Sequence, residues 1–354
     1  SKADGSQDAL LIRIETDEGI TGIGEVDSLP PVVKAIVEAP PSHAIASGLR
    51  HLLLGENPLE IDRLWHKLYR GSIYYGRQGP AIHAISGIDI ALWDIKGKAL
   101  GQPIHRLLGG PHRTEIRAYA STLMPETPEE TAAVVAGLAE RGFTAVKLGW
   151  GPFGRDADLD VALVRAAREA AGDGVDLMFD IGLGWPDADH AIRQVRRFEP
   201  YRPYWVEEPL WPDDVAGYRK LADAVETRIA CGEEDATRWG FDLLMERAGV
   251  DVIQPDVTRA GGISECVRIA QLAELRGVQM VPHSWSTGII KAASLHVIGA
   301  MPHATFLEYC VQETALNQLL TVERFPVVDG MVALPEGPGL GIEIDEEVVR
   351  RYAV

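Results

Sequence analysis

Three acidic residues lie at nearly equal intervals along the chain: Asp180 in LMFDIG, Glu207 in WVEEPL and Glu233 in IACGEE. Each follows a short apolar run that predicts a buried strand. Each interval is close to one strand–helix unit of a (β/α)₈ barrel, roughly 30 residues when about 250 are divided among eight units. Carboxylates at the C-terminal ends of successive barrel strands converge, and they repel one another unless a cation lies between them. Hard oxygen ligands favour Mg²⁺, so the pattern predicts a divalent-metal site.

Two further acids, Glu208 and Glu234, adjoin this trio. Adjacent side chains of a strand point in opposite directions, so only one member of each pair faces the barrel interior. We expect Glu207 and Glu233 to face inward, although the sequence does not determine that register. Any one of these acids alone is more typical of a helix N-cap or a solvated loop.

The second strand of the pattern, AVKLGW, carries a lysine, Lys147. A lysine inside a barrel needs a partner or a task. Near a metal it would hold a substrate carboxylate or transfer a proton, and the alternative is a salt bridge to one of the ligand carboxylates. Gly149, two residues later on the same face, is expected to leave a space in the site.

Two later strands predict an acid–base pair. Asp256 in QPD closes the sixth strand, and His283 in VPHS lies on the seventh. A carboxylate that bonds one imidazole nitrogen fixes the tautomer and raises the basicity of the other nitrogen. We therefore predict a catalytic dyad, whereas a histidine without such a neighbour is more often a packed core residue.

Glu308 in FLEYC ends the eighth strand. It would donate a hydrogen bond to the substrate if protonated, or hold the Lys147 region electrostatically. A structural ion pair is the alternative.

The chain before residue 113 has the pattern of a separate α+β domain. LLIRIET and ITGIGEV alternate apolar and polar residues around residues 17–19, which predicts a hairpin. Apolar residues at helical spacing follow through Leu108, and two glycines end that run. We expect an N-terminal domain over residues 1–113.

From Glu115 onward, eight apolar runs alternate with amphipathic stretches: IRAYAST, AVKLGW, LMFDIG, YWVEEPL, RIACGE, VDVIQPD, QMVPHS and TFLEYC. This repetition predicts a parallel α/β barrel over residues 114–323. An open doubly wound sheet is less favoured because no GxGxxG motif follows an early strand. Residues 324–354 are rich in Gly and Pro, and we expect them to return and pack on the N-terminal domain.

The composition excludes several classes of protein. The 354 residues include 46% hydrophobic and 24% charged residues, which is typical of a globular chain of more than one domain. A net charge of −18 argues against a nucleic-acid partner, which requires a basic surface. We find no apolar run long enough for a membrane span and no signal-peptide pattern. Cys231, Cys266 and Cys310 are widely spaced, which predicts reduced thiols in a cytoplasmic protein.

The ordered set of motifs resembles the enolase superfamily and, within it, the mandelate racemase-like group. The motifs are GIDIALWDIKGKALGQPIHRLLGG, AVK, FDIG, WVEEP, GEE, QPDVTRAGG, VPH and FLEY. The resemblance covers nearly the whole chain. It implies a capping domain on a modified (β/α)₇β barrel, with the C-terminal tail joining the cap.

The resemblance also implies a chemistry. Asp180, Glu207 and Glu233 would hold one Mg²⁺ per site, which chelates the carboxylate of a small-molecule substrate. The family removes the proton α to that carboxylate and forms an enediolate. His283 with Asp256 would be the base on one face of the substrate.

By the same resemblance, Glu308 would hydrogen-bond the intermediate. The resemblance further implies a homo-oligomer.

The chain departs from the family pattern in three places. The racemase motif Lys-x-Lys is Lys147-Leu148-Gly149 here, so the second base is missing. Some relatives place a histidine two residues after the first metal ligand, where this chain has Gly182. Family members also begin with a further cap strand and a mobile loop, which we expect to be missing or incomplete here, with SKADGSQD as a remnant.

Because only His283 is placed as a base, dehydration is favoured over racemisation. The leading hypothesis is a Mg²⁺-dependent dehydratase that converts an aldonate or aldarate to a 2-keto-3-deoxy acid. His283 would return its proton to the leaving hydroxyl in a syn elimination, or Lys147 would be the acid.

Three alternatives stay open. The first is an epimerase, racemase or cycloisomerase on a related carboxylate. The second is a non-catalytic barrel that acts as a binding protein. The third is a metal-dependent hydrolase, which usually needs histidine ligands that AYAST and FDIG lack.

Overall fold

The computed structural model describes residues 8–43 and 45–353. The chain opens with the predicted hairpin, in which β1 (Leu10–Glu15) pairs antiparallel with β2 (Thr21–Val26). Gly22 and Gly24 of β2 lie directly on the backbone of a long helix, at the carbonyl groups of Ala91 and Gly87, where an added Cβ would clash. Residues 1–7, which hold most of the expected N-terminal remnant, lie outside the described residues.

Helices complete the region up to residue 108, as the periodicity predicted. They are α1 (Pro30–Glu38), α2 (Leu49–Leu53), α3 (Ile61–Gly76), α4 (Pro80–Leu100) and α5 (Ile104–Leu107). Helix α4 is apolar over most of its surface and is largely buried, because the hairpin and α3 pack against it. It ends at Gly101, whose φ of 62° places it in the left-handed region that terminates helices.

The predicted barrel follows. Its strands are β3 (Glu115–Leu123), β4 (Ala145–Gly149), β5 (Asp176–Asp180), β6 (Trp205–Glu207), β7 (Arg228–Cys231), β8 (Val252–Ile253), β9 (Gln279–Met280) and β10 (Phe306–Cys310). The seven intervening helices are α6 (Pro128–Glu140), α7 (Ala157–Ala171), α8 (Ala188–Phe198), α9 (Val215–Ala222), α10 (Thr237–Leu243), α11 (Gly262–Arg276) and α12 (Gly288–Ala300). The strands pair in parallel in the order of the chain, and β10 lies beside β3.

A parallel bridge between Met280 and Ala304 joins the two ends of the sheet. The (β/α)₇β fold class is therefore confirmed, and the open doubly wound alternative is wrong.

The barrel interior is arranged in layers. One apolar cluster takes a side chain from each strand or its extension: Tyr119, Ala145, Met178, Trp205, Ala230, Val252, Val281 and Phe306. Side chains alternate along a strand, so the residues two positions later are expected on the same inward face. Those residues are Ser121, Lys147, Asp180, Glu207, Gly232, Gln254, His283 and Glu308. A largely polar layer thus lies above the apolar one, at the end of the barrel where active sites of this architecture form.

The C-terminal region contacts both the barrel and the cap. It contains α13 (Ala315–Leu319), β11 (Met331–Ala333) and α14 (Glu346–Tyr352), and β11 pairs antiparallel with β3. The backbone N–H of Leu340 donates to Asp94 of α4 at 2.9 Å. The backbone N–H of Gly339 donates to the carbonyl of Gln102, which follows α4, and the carbonyl of Gly339 accepts the N–H of Ile104 in α5. These contacts are compatible with the predicted division at residues 113 and 323, which stays a prediction.

Cys231, Cys266 and Cys310 all lie in the described part of the chain, and each is a buried free thiol. Over residues 8–43 and 45–353, the structure contains no helix with the length and apolarity that a membrane crossing requires.

Candidate active site

Lys147 lies in the polar layer, between carboxylates that belong to β6 and β10. Its ammonium forms ion pairs with Glu207 Oε1 and, at 2.9 Å, with Glu308 Oε1. All three side chains are buried. Burial opposes the charged form of the lysine, but the two carboxylates outweigh it and raise the pKa of Lys147 well above its usual value. The structure therefore places Lys147 in the salt bridges that were the alternative to a free catalytic amine.

His283 and Asp256 meet as the sequence predicted. The Nδ1 atom of His283 lies 2.6 Å from Asp256 Oδ2, and Nε2 faces Glu233 Oε2 at 3.3 Å and Glu308 Oε2 at 4.0 Å. Burial lowers the pKa of His283, yet the surrounding carboxylates outweigh burial and raise it to about 10. A cation at Glu233 would oppose that rise, because it would compensate the carboxylate charge. The imidazole thus has one nitrogen fixed by Asp256 and the other directed at the carboxylates.

Glu308 is an acceptor in this arrangement. The hydroxyl of Ser121 donates to Oε1 at 2.7 Å, and the backbone N–H of Ser284 donates to Oε2 at 2.7 Å. Burial alone would raise the pKa of Glu308, but Lys147 and His283 lower it to about 2. An ionised Glu308 fits the electrostatic role better than hydrogen-bond donation.

The three predicted metal ligands reach the same end of the barrel. Asp180 and Glu207 are directly paired across β5 and β6, and Glu233 follows β7. Burial and the neighbouring charge of Glu207 raise the pKa of Asp180 well above its usual value, and Glu233 adds to the rise. Glu207 also accepts a hydrogen bond from Trp205 Nε1 at 2.8 Å, so its two oxygens already have partners.

A compact group of carboxylates among the described residues differs from the predicted trio. It consists of Glu208, Glu233 and Glu234, which offer oxygens within 4.8 Å of one another. Glu208 has a φ of 42°, so the strand alternation on which the inward assignment of Glu207 relied stops at this residue. The sequence analysis treated Glu208 and Glu234 only as neighbours of predicted ligands. The signal for them in the sequence is the pair of adjacent glutamates in each of the motifs WVEEP and GEE.

Glu208 supplies a test of whether this region fits a cation. Its Oε1 accepts from the backbone N–H of Gly232 at 3.2 Å, while its buried Oε2 has no hydrogen-bond partner among the described residues. Burial, followed by the charges of Glu233 and Glu234, raises the pKa of Glu208 well above its usual value. An unpartnered buried oxygen among three carboxylates is costly without compensation, and hard oxygen ligands suit a divalent cation. The cluster could therefore hold a metal ion.

Across the barrel from His283, the two positions where the family pattern supplies a second base are occupied by glycines, Gly149 and Gly182. A Cβ on Gly149 would lie 2.6 Å from Asp180 Cβ, so the space expected beside this glycine is filled by the Asp180 side chain. Gly182 has a φ of 59°, and a Cβ there would lie 2.7 Å from the ring of Trp150. An indole therefore covers the position where some relatives have a histidine.

The fold and site define a chain of the enolase type, and comparisons with known proteins agree. The chain belongs to the mandelate racemase/muconate lactonizing enzyme family: the model of that family's N-terminal domain matches residues 2–109, and the enolase C-terminal domain-like model matches residues 130–348. The family resemblance is thereby confirmed.

Three relatives illustrate its range. The chain is 38% identical to a D-galactonate dehydratase of Pectobacterium atrosepticum over 96% of this chain and 90% of that protein. It is 35% identical to a D-galactarolactone cycloisomerase of Agrobacterium fabrum over 97% and 90%, respectively. The crystal structure of the 3,6-anhydro-D-galactonate cycloisomerase from Zobellia galactanivorans superposes with a TM-score of 0.89 at 32% identity, covering 97% of this chain and 93% of that one.

Proposed function

We propose that this protein is a metal-dependent acid-sugar dehydratase. It would remove the proton α to the carboxylate of an aldonate or aldarate and expel the β-hydroxyl, which yields a 2-keto-3-deoxy acid. The main support for this proposal is the His283–Asp256 pair, in which His283 Nε2 faces the carboxylate of Glu233 at the C-terminal end of the barrel. The 38% identity to a D-galactonate dehydratase supports the same reaction.

The dyad would perform the proton transfer. With a cation bound at Glu233 compensating the carboxylate charge, the neutral His283 ring would donate its Nδ1–H to Asp256 and leave Nε2 to take the α-proton. Thr258 donates to the other oxygen of Asp256 through its N–H and its hydroxyl, each at 2.6 Å, so the carboxylate cannot rotate freely. His283 would then return this proton to the departing hydroxyl, which gives a syn elimination.

Mg²⁺, one ion per site, is the proposed cation. A bound divalent cation would chelate the substrate carboxylate and stabilise the negative charge that develops on it. Glu233 belongs to both candidate ligand sets. The remaining ligands would come from Asp180 and Glu207, as the resemblance implies, or from Glu208 and Glu234, which lie closer to Glu233.

Lys147 and Glu308 would orient the substrate. The buried ammonium of Lys147 lies between Glu207 and Glu308, and it would attract the substrate carboxylate or supply a proton to the leaving group. Its two ion pairs hold it in place, because each partner comes from a different strand.

A substrate screen tests the proposal. Purified protein with Mg²⁺ would be incubated with a library of mono- and diacid sugars, and keto acid would be detected as its semicarbazone. We expect metal-dependent keto acid from at least one aldonate or aldarate. If no acid sugar yields keto acid while the protein binds Mg²⁺, the dehydratase proposal is wrong, and a non-catalytic binding barrel becomes the better account.

A cycloisomerase is the second candidate. The first step would be the same, but the ester oxygen of a lactone ring would leave as a carboxylate in place of hydroxide, and a carboxylate needs less help from an acid. Two cycloisomerases are among the relatives, and Gly149 and Gly182 stand where an additional acid–base group would be expected. Ring opening of a sugar lactone, without keto acid from any open-chain acid, would favour this candidate.

A homo-oligomer and a cytoplasmic location are also part of the proposal. They are supported by the family resemblance and by the three free cysteines, respectively. Size-exclusion chromatography with light scattering would test the first.

A further inference from the structure

One residue of the N-terminal region reaches the predicted dyad. Asp27 follows β2 and is buried. Its Oδ2 accepts a hydrogen bond from Arg259 Nη2 at 2.7 Å, and its backbone carbonyl accepts one from Arg259 Nε at 3.0 Å. Its backbone N–H donates to Thr258 Oγ1 at 3.2 Å. Thr258 and Arg259, two successive residues of the loop between β8 and α11, therefore both hydrogen-bond to Asp27.

The same loop residues also hold the dyad. Thr258 donates to Asp256 Oδ1, and Arg259 Nε lies 3.5 Å from Asp256 Oδ2, the oxygen that bonds His283. Arg259 Nη1 donates to the backbone carbonyl of Glu233 at 3.3 Å and lies 3.8 Å from its carboxylate. One guanidinium thus spans the N-terminal region, the dyad and the carboxylate that faces His283.

We propose that Arg259 is a positioning residue that ties Asp27 to the Asp256–His283 pair, so that seating of the N-terminal region on the barrel orients the base. Asp27, Asp256 and His283 have polar atoms within 4.8 Å of one another, and Arg259 supplies the positive charge among them. The planar guanidinium of arginine has several N–H donors and can bond these acceptors at once. The single ammonium group of a lysine cannot. The role of the base rests on the proposed function, but the contacts of Arg259 do not.

The first test needs no substrate. In protein labelled with ¹⁵N-histidine and saturated with MgCl₂, the Nδ1 proton of His283 would be assigned by its loss in His283→Asn. We expect Arg259→Met and Arg259→Lys both to shift or broaden this resonance, since each removes the guanidinium group. An unchanged resonance in the folded Arg259→Met protein would overturn the proposal. If that variant does not fold, Asp27→Ala replaces it, with the same two outcomes.

The second test uses kinetics on the substrate found by the screen. Loss of an outer-sphere partner of a metal or catalytic group commonly costs about 10–100-fold in activity. We expect a loss of this size in kcat for Asp27→Ala and Arg259→Met, with much less change in KM. The double variant should be no slower than the slower single variant, because both substitutions remove one connection. If the fold-losses in kcat of the two single variants multiply in the double variant, Asp27 and Arg259 act independently and the proposal is wrong.

A matched ion pair provides the control. Arg13 Nη2 and Glu346 Oε1, 2.7 Å apart, join β1 to α14 at the surface, away from the polar layer. Arg13→Met, Glu346→Ala and their combination are expected to leave both the resonance and kcat unchanged. If the screen finds no substrate, the proposed function fails, and the resonance test still decides the role of Arg259.

Discussion

Lys147 shows how strongly single residues of the polar layer depend on one another. Its ammonium is paired with the buried carboxylates of Glu207 and Glu308, and removal of one partner from a buried pair leaves an uncompensated charge. We expect Lys147→Met to lower the free energy of unfolding by roughly 3–5 kcal/mol, measured by urea denaturation without added metal. Adding Glu308→Gln should restore part of the loss. A Lys147→Met protein as stable as the unsubstituted chain would contradict this description of the site.

Gly149 leads to a prediction about metal affinity. A Cβ at this position would meet the side chain of Asp180 at 2.6 Å, so alanine must displace that carboxylate. We expect Gly149→Ala to weaken Mn²⁺ binding by about 10–100-fold in calorimetric titration, as loss of a ligand's support usually does. Gly137→Ala is the matched control, since a Cβ there meets no atom within 4 Å. Equal affinities in both variants would show that Asp180 is not a ligand.

The sequence predicts which strands carry the acids, because each acid follows an apolar run. It could not decide which acid of each Glu pair approaches the ion. The φ of 42° at Glu208 interrupts the alternation from which orientation was inferred. The contact of Asp180 with Gly149 could not be predicted from the sequence, because it depends on how β4 and β5 pair.

A histidine pair connects three elements that are distant in the chain. His296 of α12 accepts the backbone N–H of His105 from α5 on Nδ1 at 3.2 Å, and its Nε2 donates to the carbonyl of Leu340 at 3.1 Å. Both ring nitrogens are used by the neutral form, and burial lowers the pKa of His296 to about 3. The native state therefore binds fewer protons than the unfolded chain between that value and about 6.5, the ordinary histidine pKa.

The consequence is an acid-sensitive junction. The contribution of His296 to stability should be complete above about pH 6.5 and should be lost progressively as the pH falls toward about 3. We expect His296→Gln to reduce this pH dependence in urea midpoints measured across the range, because glutamine does not titrate. The exposed His51, replaced by Gln, is the control. An identical pH dependence in His296→Gln and the unsubstituted chain would refute the assignment.

The elements themselves were largely predictable. A hydrophobic period of two identified the hairpin, a period of about 3.6 identified the helices, and short apolar runs identified the eight barrel strands. The periodicity did not show how short β8 and β9 are, each only two residues long, because the apolar character of the chain extends beyond the hydrogen-bonded ladder.

For the whole molecule, a metal site should couple binding to stability. A ligand that binds only the native state stabilises it by RT ln(1 + [L]/Kd), which is about 2.7 kcal/mol at a hundredfold excess over Kd. We expect Mg²⁺ to raise the melting temperature of the unsubstituted protein and EDTA to reverse the rise. In Glu233→Gln the increment should be much smaller, because this acid belongs to both candidate ligand sets. An equal rise in both proteins would place the ion elsewhere.

The connection of the N-terminal region to the barrel was the part of the molecule that the sequence described least. Asp27 and Arg259 are far apart in the chain, and neither belongs to a periodic pattern. Their contact follows from the path of the hairpin over the C-terminal end of the barrel, which is a property of the assembled fold.

Exchange of the α-proton would show whether His283 is the base. Acid sugars would be incubated in D₂O with Mg²⁺ and either the unsubstituted protein or His283→Asn, and deuterium at the α-carbon and in the product would be followed by NMR. We predict metal-dependent incorporation with the unsubstituted protein and none with His283→Asn, which should still bind Mg²⁺. Undiminished exchange in His283→Asn would show that another group is the base and would contradict the account.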